Sequence, residues 1–269
     1  MSHLLREFAP ITDVAWRGLE DEARRTLAHF LTSRRLVDFE GPMGWEYDAV
    51  PSRRTVDLPD SHKGVRARSR VPYPLTELRA DFDMTRTALD ALARGAADVD
   101  LRPVQDAARQ LALAEDTIAL GDGSIVDASG LAALSPHAPV PVEDDSRDIP
   151  RAVARAIEIL RDAGVGGPYA VALGSNTYTG VMETTEKGGY PVLEHLRLIA
   201  GGPVLWAPTV DGAIVCSTRG GDARLTIGQD ASLGYVAHDA SVVKLYLEET
   251  VAFEVLTPEA AIRVASTGS

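Results

Sequence analysis

Residues 219–239, RGGDARLTIGQDASLGYVAHD, gather groups able to do chemistry: Arg219, the pair Gly220 and Gly221, Asp222, Asp230, His238 and Asp239. A glycine turn beside an arginine can cradle phosphate, and an aspartate with a histidine is part of a hydrolytic site. No nucleophile or base stands at a spacing that would complete either. The same residues make sense as architecture. GGD after CST fits a hairpin turn, where glycine permits positive φ and aspartate bonds its own backbone. ARLTIG and ASLGYVA then alternate as strands around a second turn, GQD.

Other candidates fail on similar grounds. GDGSIVDASG, residues 121–130, resembles a calcium loop but lacks the closing glutamate, so it reads as a helix stop followed by a turn. The histidines at 3, 29, 62, 137, 195 and 238 show no metal-ligand spacing. GVGGPYA lacks the last glycine of a dinucleotide fingerprint. No Walker loop, nucleophile elbow, His-Glu-x-x-His or Cys-x-x-Cys occurs. No catalytic residue, cofactor or metal is therefore expected. The lone cysteine, Cys216, sits in the apolar run GAIVCST and reads as packing.

The bulk numbers agree. A formal net charge of −12 over 269 residues argues against general nucleic-acid binding. With 45% hydrophobic and 25% charged residues, the chain is globular and large enough to fold without staples. No run approaches the roughly 18 apolar residues of a membrane span, and the N-terminus lacks the apolar core of a signal peptide. A soluble, cytoplasmic protein is expected.

The elements follow from periodicity and punctuation. After Thr12 as N-cap, residues 13–35 place Trp16, Leu19, Ala23, Leu27 and Phe30 on one helical face. Residues 49–75 form two extended runs joined by PDSHKG. In the second run Arg66, Arg68 and Arg70 share one face, giving a β-arm that is basic on one side. Such an arm cannot bury its own edges and must lie against something else. A strand running into a short helix that stops at Gly95 comes next. A rod helix follows, with Asp100 near its start and Pro103 in its first turn. A proline- and acid-rich loop precedes a helix capped by Asp148 and stopped at Gly164. GPYAVALGSN and GGPVLWAPTVDGAIVCST are strand-like, with a loop and a helix between them. Two further strands close the chain, and the final STGS has no periodicity.

An N-terminal helix, a long arm, a rod helix and a strand-rich end without a catalytic constellation occur in this order in one family. The chain resembles the encapsulins, bacterial shell proteins with the fold of tailed-phage capsid proteins. The matching runs include R.LVDFEGPMGWEY, PLTELRADF, AEDTIALGDG, GYPVLEHLRLIAGG, STRGGDARLTIGQDASLGYVAHD and VKLYLEETVAFEVLTPEAAI. They span residues 4–264.

The resemblance implies an α+β HK97-like capsid fold. It assigns 1–48 to the N-terminal helix and the start of a peripheral domain, and 49–75 to an extended loop. Residues 76–130 continue the peripheral domain with its spine helix, 131–223 form an axial domain, and 224–269 return as peripheral strands and tail. It implies a homo-oligomeric icosahedral shell enclosing a dye-decolorising peroxidase or a ferritin-like iron oxidase, which docks through a C-terminal targeting peptide. Arg34 and Asp38 match family positions in the docking groove, with Leu233, Tyr235 and Leu247 expected as its walls. METTEKGGYP, residues 182–191, matches the loop around the five-fold opening, so Glu183, Glu186, Lys187, Gly188, Gly189 and Tyr190 are expected to line a pore. The basic arm, with Arg66, Arg68 and Arg70, would lie on neighbouring subunits. Competing readings are a phage capsid protein and, with no supporting nucleophile–base pair or signal peptide, a protease or secreted bacteriocin.

Overall fold

The structure, a computed structural model, describes residues 2–59, 65–121, 125, 130–142, 146–186 and 188–266. Lys187, the arm tip at 60–64, most of the 121–130 segment and the last three residues lie outside them.

Helix α1, Asp13–Phe30, begins as the sequence demands: the Thr12 hydroxyl accepts a hydrogen bond from the Ala15 N–H. Its buried face is Ala15, Trp16, Leu19, Ala23 and Leu27. The Thr85 hydroxyl caps α2, Arg86–Ala93, and Gly95 ends it at φ 82°. In α3, Arg102–Leu120, Pro103 fills the first turn, and Val104, Ala108, Leu111 and Ile118 are buried together.

These helices pack on one face of a five-stranded sheet formed by β1 (Asp38–Glu40), β4 (Thr76–Thr85), β9 (Ala223–Ile227), β10 (Ser232–His238) and β11 (Val242–Val255). Strand β4 shows why the sheet has an inside. Leu78, Ala80, Phe82 and Met84 are buried, while Glu77, Arg79, Asp81 and Asp83 alternate with them on the outer face. Full burial of each larger side chain stabilises by about 1.5–3 kcal/mol.

The second sheet runs in the order β5 (Val140–Val142), β12 (Ala261–Ser266), β8 (Ala213–Ser217), β6 (Tyr169–Leu173), β7 (Val204–Trp206). Every residue of β6 and β8 is buried, because both faces are covered. Ala170, Ala172, Ile214 and Cys216 face the core shared with α1 and α3. Val171, Leu173, Ala213 and Val215 face α4 (Ile149–Asp162) and α6 (Val192–Ala200). Cys216 is thus a packing residue, and burial pushes its thiol up to about 12. The arm is the pair β2 (Ala49–Asp57) and β3 (Arg68–Pro74), with a bulge between Pro51 and Arg54. No helix among the described residues is long and apolar enough to cross a membrane.

Several local expectations change. The GGD turn is real, with Gly220 and Gly221 at φ 86° and 80°, but it closes no hairpin. It carries the chain from β8 in the second sheet to β9 in the first. Nor does GQD reverse the chain. Strands β9 and β10 both run antiparallel to β11, so they run in the same direction, one after the other. Asp148 stands at the N-cap of α4, yet its side chain makes no capping bond. Residues 175–183, expected as strand end and loop, form α5, Ser175–Glu183. Strand β12 pairs with β8 and β5, so residues 261–266 leave the sheet that holds β9, β10 and β11.

Candidate functional site

A groove of about 370 Å³ lies between α1 and the start of β10. Ala23, Leu27, Ala28 and Leu31 form its helical wall, and Ser232, Leu233 and Leu247 its sheet wall. The N-terminal segment contributes Leu4 and Arg6. It is held there by three contacts. Arg6 pairs with Glu20 at 2.6 Å and stacks over the Trp16 ring at 4.3 Å, and the Leu4 carbonyl accepts the Tyr235 N–H at 2.9 Å.

Arg34 supplies the groove's most constrained charge. Its Nε donates to both Glu115 oxygens at 2.9 and 3.0 Å, Nη2 to Glu115 at 2.5 Å and to Glu249 at 3.1 Å, and Nη1 to Asp230 at 2.9 Å. Glu115 and Glu249 are fully buried, each with a side-chain exposure of 0%. Burial opposes the guanidinium's charge, but the bond to Glu115 and the three carboxylates hold its pKa above the ordinary arginine value. Burial, then the charge of Glu115, pushes the Glu249 carboxyl well above its usual range, although Arg34 counters it. Next to this cluster Asp116 accepts the N–H groups of Thr32 and Ser33, and burial raises its pKa to about 6. Arg34 is therefore the counter-ion of two buried acids before it is anything else.

The expected groove residues separate. Arg34, Leu233 and Leu247 come together there. Asp38 lines a different cavity of about 170 Å³, beside Arg35 and Ser217, and its Oδ2 accepts the Gly221 N–H at 2.6 Å. It ties β1 to the inter-sheet turn. Tyr235 is buried, its hydroxyl 2.5 Å from His238 Nδ1, and it is not among the groove's lining residues.

Sequence reasoning met Asp230 only as part of a polar turn and missed Glu115 and Glu249, although those two left a signal. Glu115 falls on the buried face of α3, four residues after Leu111, and Glu249 interrupts the apolar run of β11. A carboxylate in such a setting requires a buried cation. Leu4, Arg6 and Ala28 left no comparable signal.

The loop after α5 is a tight turn. The Glu186 N–H donates to the Tyr190 carbonyl at 2.9 Å, and the Gly189 N–H to the Glu186 carbonyl at 2.8 Å, with Gly189 at φ 78°. Glu183, Gly188, Gly189 and Tyr190 are exposed, whereas Glu186 is half-buried and bonded to His195 Nδ1 of α6. On the arm, Arg66, Arg68 and Arg70 are exposed, and Arg68 pairs with Asp57 at 3.0 Å.

Known proteins resemble this chain in sequence and in fold. Residues 1–252 match the family Linocin_M18, described as "Encapsulating protein for peroxidase". A type 1 encapsulin shell protein of Rhodospirillum rubrum is 45% identical over 268 residues, covering 97% of this chain and 96% of the relative. That of Brevibacterium linens is 43% identical over 266 residues, covering 97% and 98%. Among solved structures, a virus-like particle from Pyrococcus furiosus matches with a TM-score of 0.65 at 17% identity, over 92% of this chain and 98% of that one. The capsid of Myoviridae phage XM1 matches with a TM-score of 0.55 at 13% identity, over 85% and 89%. The two structures establish the HK97-type capsid fold, and the identity along nearly the whole length establishes the rest: this chain belongs to the encapsulin family of shell proteins.

Proposed function

We propose that the chain closes into an icosahedral shell in the cytoplasm around a peroxidase, which is held by a C-terminal targeting peptide in the groove between α1 and β10. The shell itself is the family's property, and the family description names peroxidase as what is encapsulated. The observation that carries the docking site is the groove's composition. Apolar walls from Leu27, Leu31, Leu233 and Leu247 surround a few charged groups, among them Arg34 and Asp230. Peptide sites combine apolar pockets with a small number of polar groups that fix direction.

In this reading the first sheet with α1 and α3 is the peripheral domain, the second sheet with α4 and α6 the axial domain, and β2–β3 the extended loop. The loop with Glu183, Glu186, Lys187, Gly188, Gly189 and Tyr190 surrounds a pore. Arg66, Arg68 and Arg70 face neighbouring subunits. Asp38 and Tyr235 act indirectly: Asp38 fixes β1 to the turn at Gly221, and Tyr235 holds the N-terminal segment through its N–H.

Native particles purified from the source cell test this. Hollow spheres in negative stain, with haem absorbance that stays with the particles, are expected. Ala28 is exposed and lines the groove, so Ala28→Trp fills it without touching the core. Shells of that variant should assemble and emerge empty. Equal loading in both shells would place docking elsewhere, and a ferritin-like protein in place of haem would change the cargo but not the site.

A further inference from the structure

Helix α1 borders two openings. Arg24 and Ala28, both exposed, line the groove, while Arg25 and His29, exposed one position further on, line a separate cleft of about 380 Å³ against the first half of α3. Phe30 from α1 and Gln105, Asp106 and Arg109 from α3 also line this cleft. One wall is aromatic. The half-buried Phe30 ring lies 4.9 Å from the His29 ring and 5.5 Å from that of Trp206, and the His29 and Trp206 rings are 5.3 Å apart. Trp206 is itself held, its Nε1 donating to the Ser175 hydroxyl at 3.1 Å and its carbonyl accepting from the Thr32 hydroxyl at 2.8 Å. The charges of the cleft are used unequally. Arg25 is paired with Glu22, which also accepts the Gln105 side-chain amide at 2.6 Å. Arg109 instead stands with its guanidinium carbon 5.4 Å from the Phe30 ring centroid, and among the described residues no carboxylate lies within ion-pair distance of it.

We propose that this cleft binds a planar aromatic monoanion, a small carboxylate of one or two fused rings, with its ring against Phe30 and His29 and its carboxylate on Arg109. A small-molecule site joins aromatic walls to a few polar groups that fix orientation, and the volume suits a ligand of this size. A guanidinium pairs with a carboxylate through two parallel hydrogen bonds and also stacks on rings, so one arginine serves both halves of the ligand. Asp106, three positions before Arg109, sets the charge limit. A second anionic group would stand beside it, and like charges in contact are costly, so polyphosphates and dicarboxylates are rejected. The site stands on the cleft alone. Its consequence rests on the docking reading above: with the groove across the same exposed ridge of α1, aromatic acids would be held beside the enclosed enzyme.

The test dialyses the full chain, expressed without cargo, to equilibrium against naphthoate, with naphthamide and naphthalene dicarboxylate in parallel. Saturable binding of naphthoate, one per chain, is expected, with both other compounds roughly ten-fold weaker or worse. Arg109→Gln should weaken naphthoate roughly ten-fold, the loss of a charge-assisted hydrogen bond, and leave the amide unaffected. Asp106→Asn should tighten naphthoate and admit the dicarboxylate, a gain that a poorly folded variant could not give. Uptake that does not saturate, equal affinity for acid and amide, or indifference to both substitutions would overturn the site. Ala28→Trp fills the groove and leaves the cleft open, so naphthoate binding should survive it; loss there would move the ligand to the groove and sink the proposal. Failure of the docking reading shows separately, as cargo loading unchanged in the same Ala28→Trp shells.

Discussion

Arg34 shows how a family-matching residue can have a second occupation. Its guanidinium balances Glu115 and Glu249, both fully buried. Removing it leaves two desolvated carboxylates without a cation, a loss of about 3–5 kcal/mol for a buried pair. For a chain of this size each kcal/mol corresponds to about 2–4 °C. Arg34→Ala should therefore lower the thermal transition by at least about 6 °C whether or not cargo is present. Calorimetry of empty shells checks this, and an unchanged transition would mean that the acids are satisfied without it. Such a variant cannot serve alone as a docking test. Asp116 gives a pH dependence of defined sign. Burial lifts its carboxyl from 3.8 in the free group to about 6, so between these values the folded chain holds a proton that the unfolded chain has released. Its contribution to stability thus rises as pH falls from 7 toward 4, and the ionised form above pH 6 is the costly one. Asp116→Asn removes that titration. The transition of the native shell minus that of the variant should grow more positive on acidification, and a pH-independent difference would argue against the buried titration.

At the scale of the element, the arm is the part whose sequence speaks most directly to its surroundings. Arg66 and Arg70 are exposed on β3 and its approach, and Asp57 is paired with Arg68. Changing Arg66 and Arg70 to glutamate places like charges against an acidic chain, and such contacts cost several kcal/mol. The variant should give soluble, folded chains by circular dichroism but few particles by size exclusion, with partial recovery at high salt. Normal yields of shell would free the arm's charges from any role in closure. The same element was legible in the sequence because alternation in a two-stranded ribbon is local information. So were α1, α2 and α3, whose start signals, the caps Thr12 and Thr85 and the first-turn Pro103, stand within a few residues of the helices they begin. What could not be read is pairing at a distance. Nothing near Gly228 reveals that both β9 and β10 align on the fourteen-residue β11. Nothing in the last residues reveals that β12 crosses to β8. The groove suffered likewise: Leu233 and Leu247 were foreseeable as neighbours of α1, but the bond that ties Leu4 to Tyr235 and the ionic floor around Arg34 join residues more than eighty positions apart.

The whole molecule is a closed surface only in many copies, which turns local charges into fields. A shell buries each subunit's open edges by symmetry, so what remains for traffic is the set of openings at its axes. In the proposed pore the turn is held by two backbone bonds, from the Glu186 N–H to the Tyr190 carbonyl and from the Gly189 N–H to the Glu186 carbonyl, and Glu183 stands exposed at its base. Repeated around an axis, this carboxylate forms a ring of negative charge. Glu186 is weaker in that role because His195 already engages it. A ring of one sign in a narrow passage concentrates ions of the other sign and can change entry rates by about ten-fold or more. Glu183→Lys should therefore slow turnover of a cationic substrate by the enclosed peroxidase and speed that of an anionic one. Turnover by the same enzyme released from the shell should be unaffected. Both effects should shrink as ionic strength shortens the screening length toward about 3 Å at 1 M salt. If the two substrates respond alike, the loop restricts passage by size or lies away from the route altogether. Comparing native shells with the variant at low and high salt separates these cases, because a steric gate is indifferent to salt and a loop off the route is indifferent to the substitution.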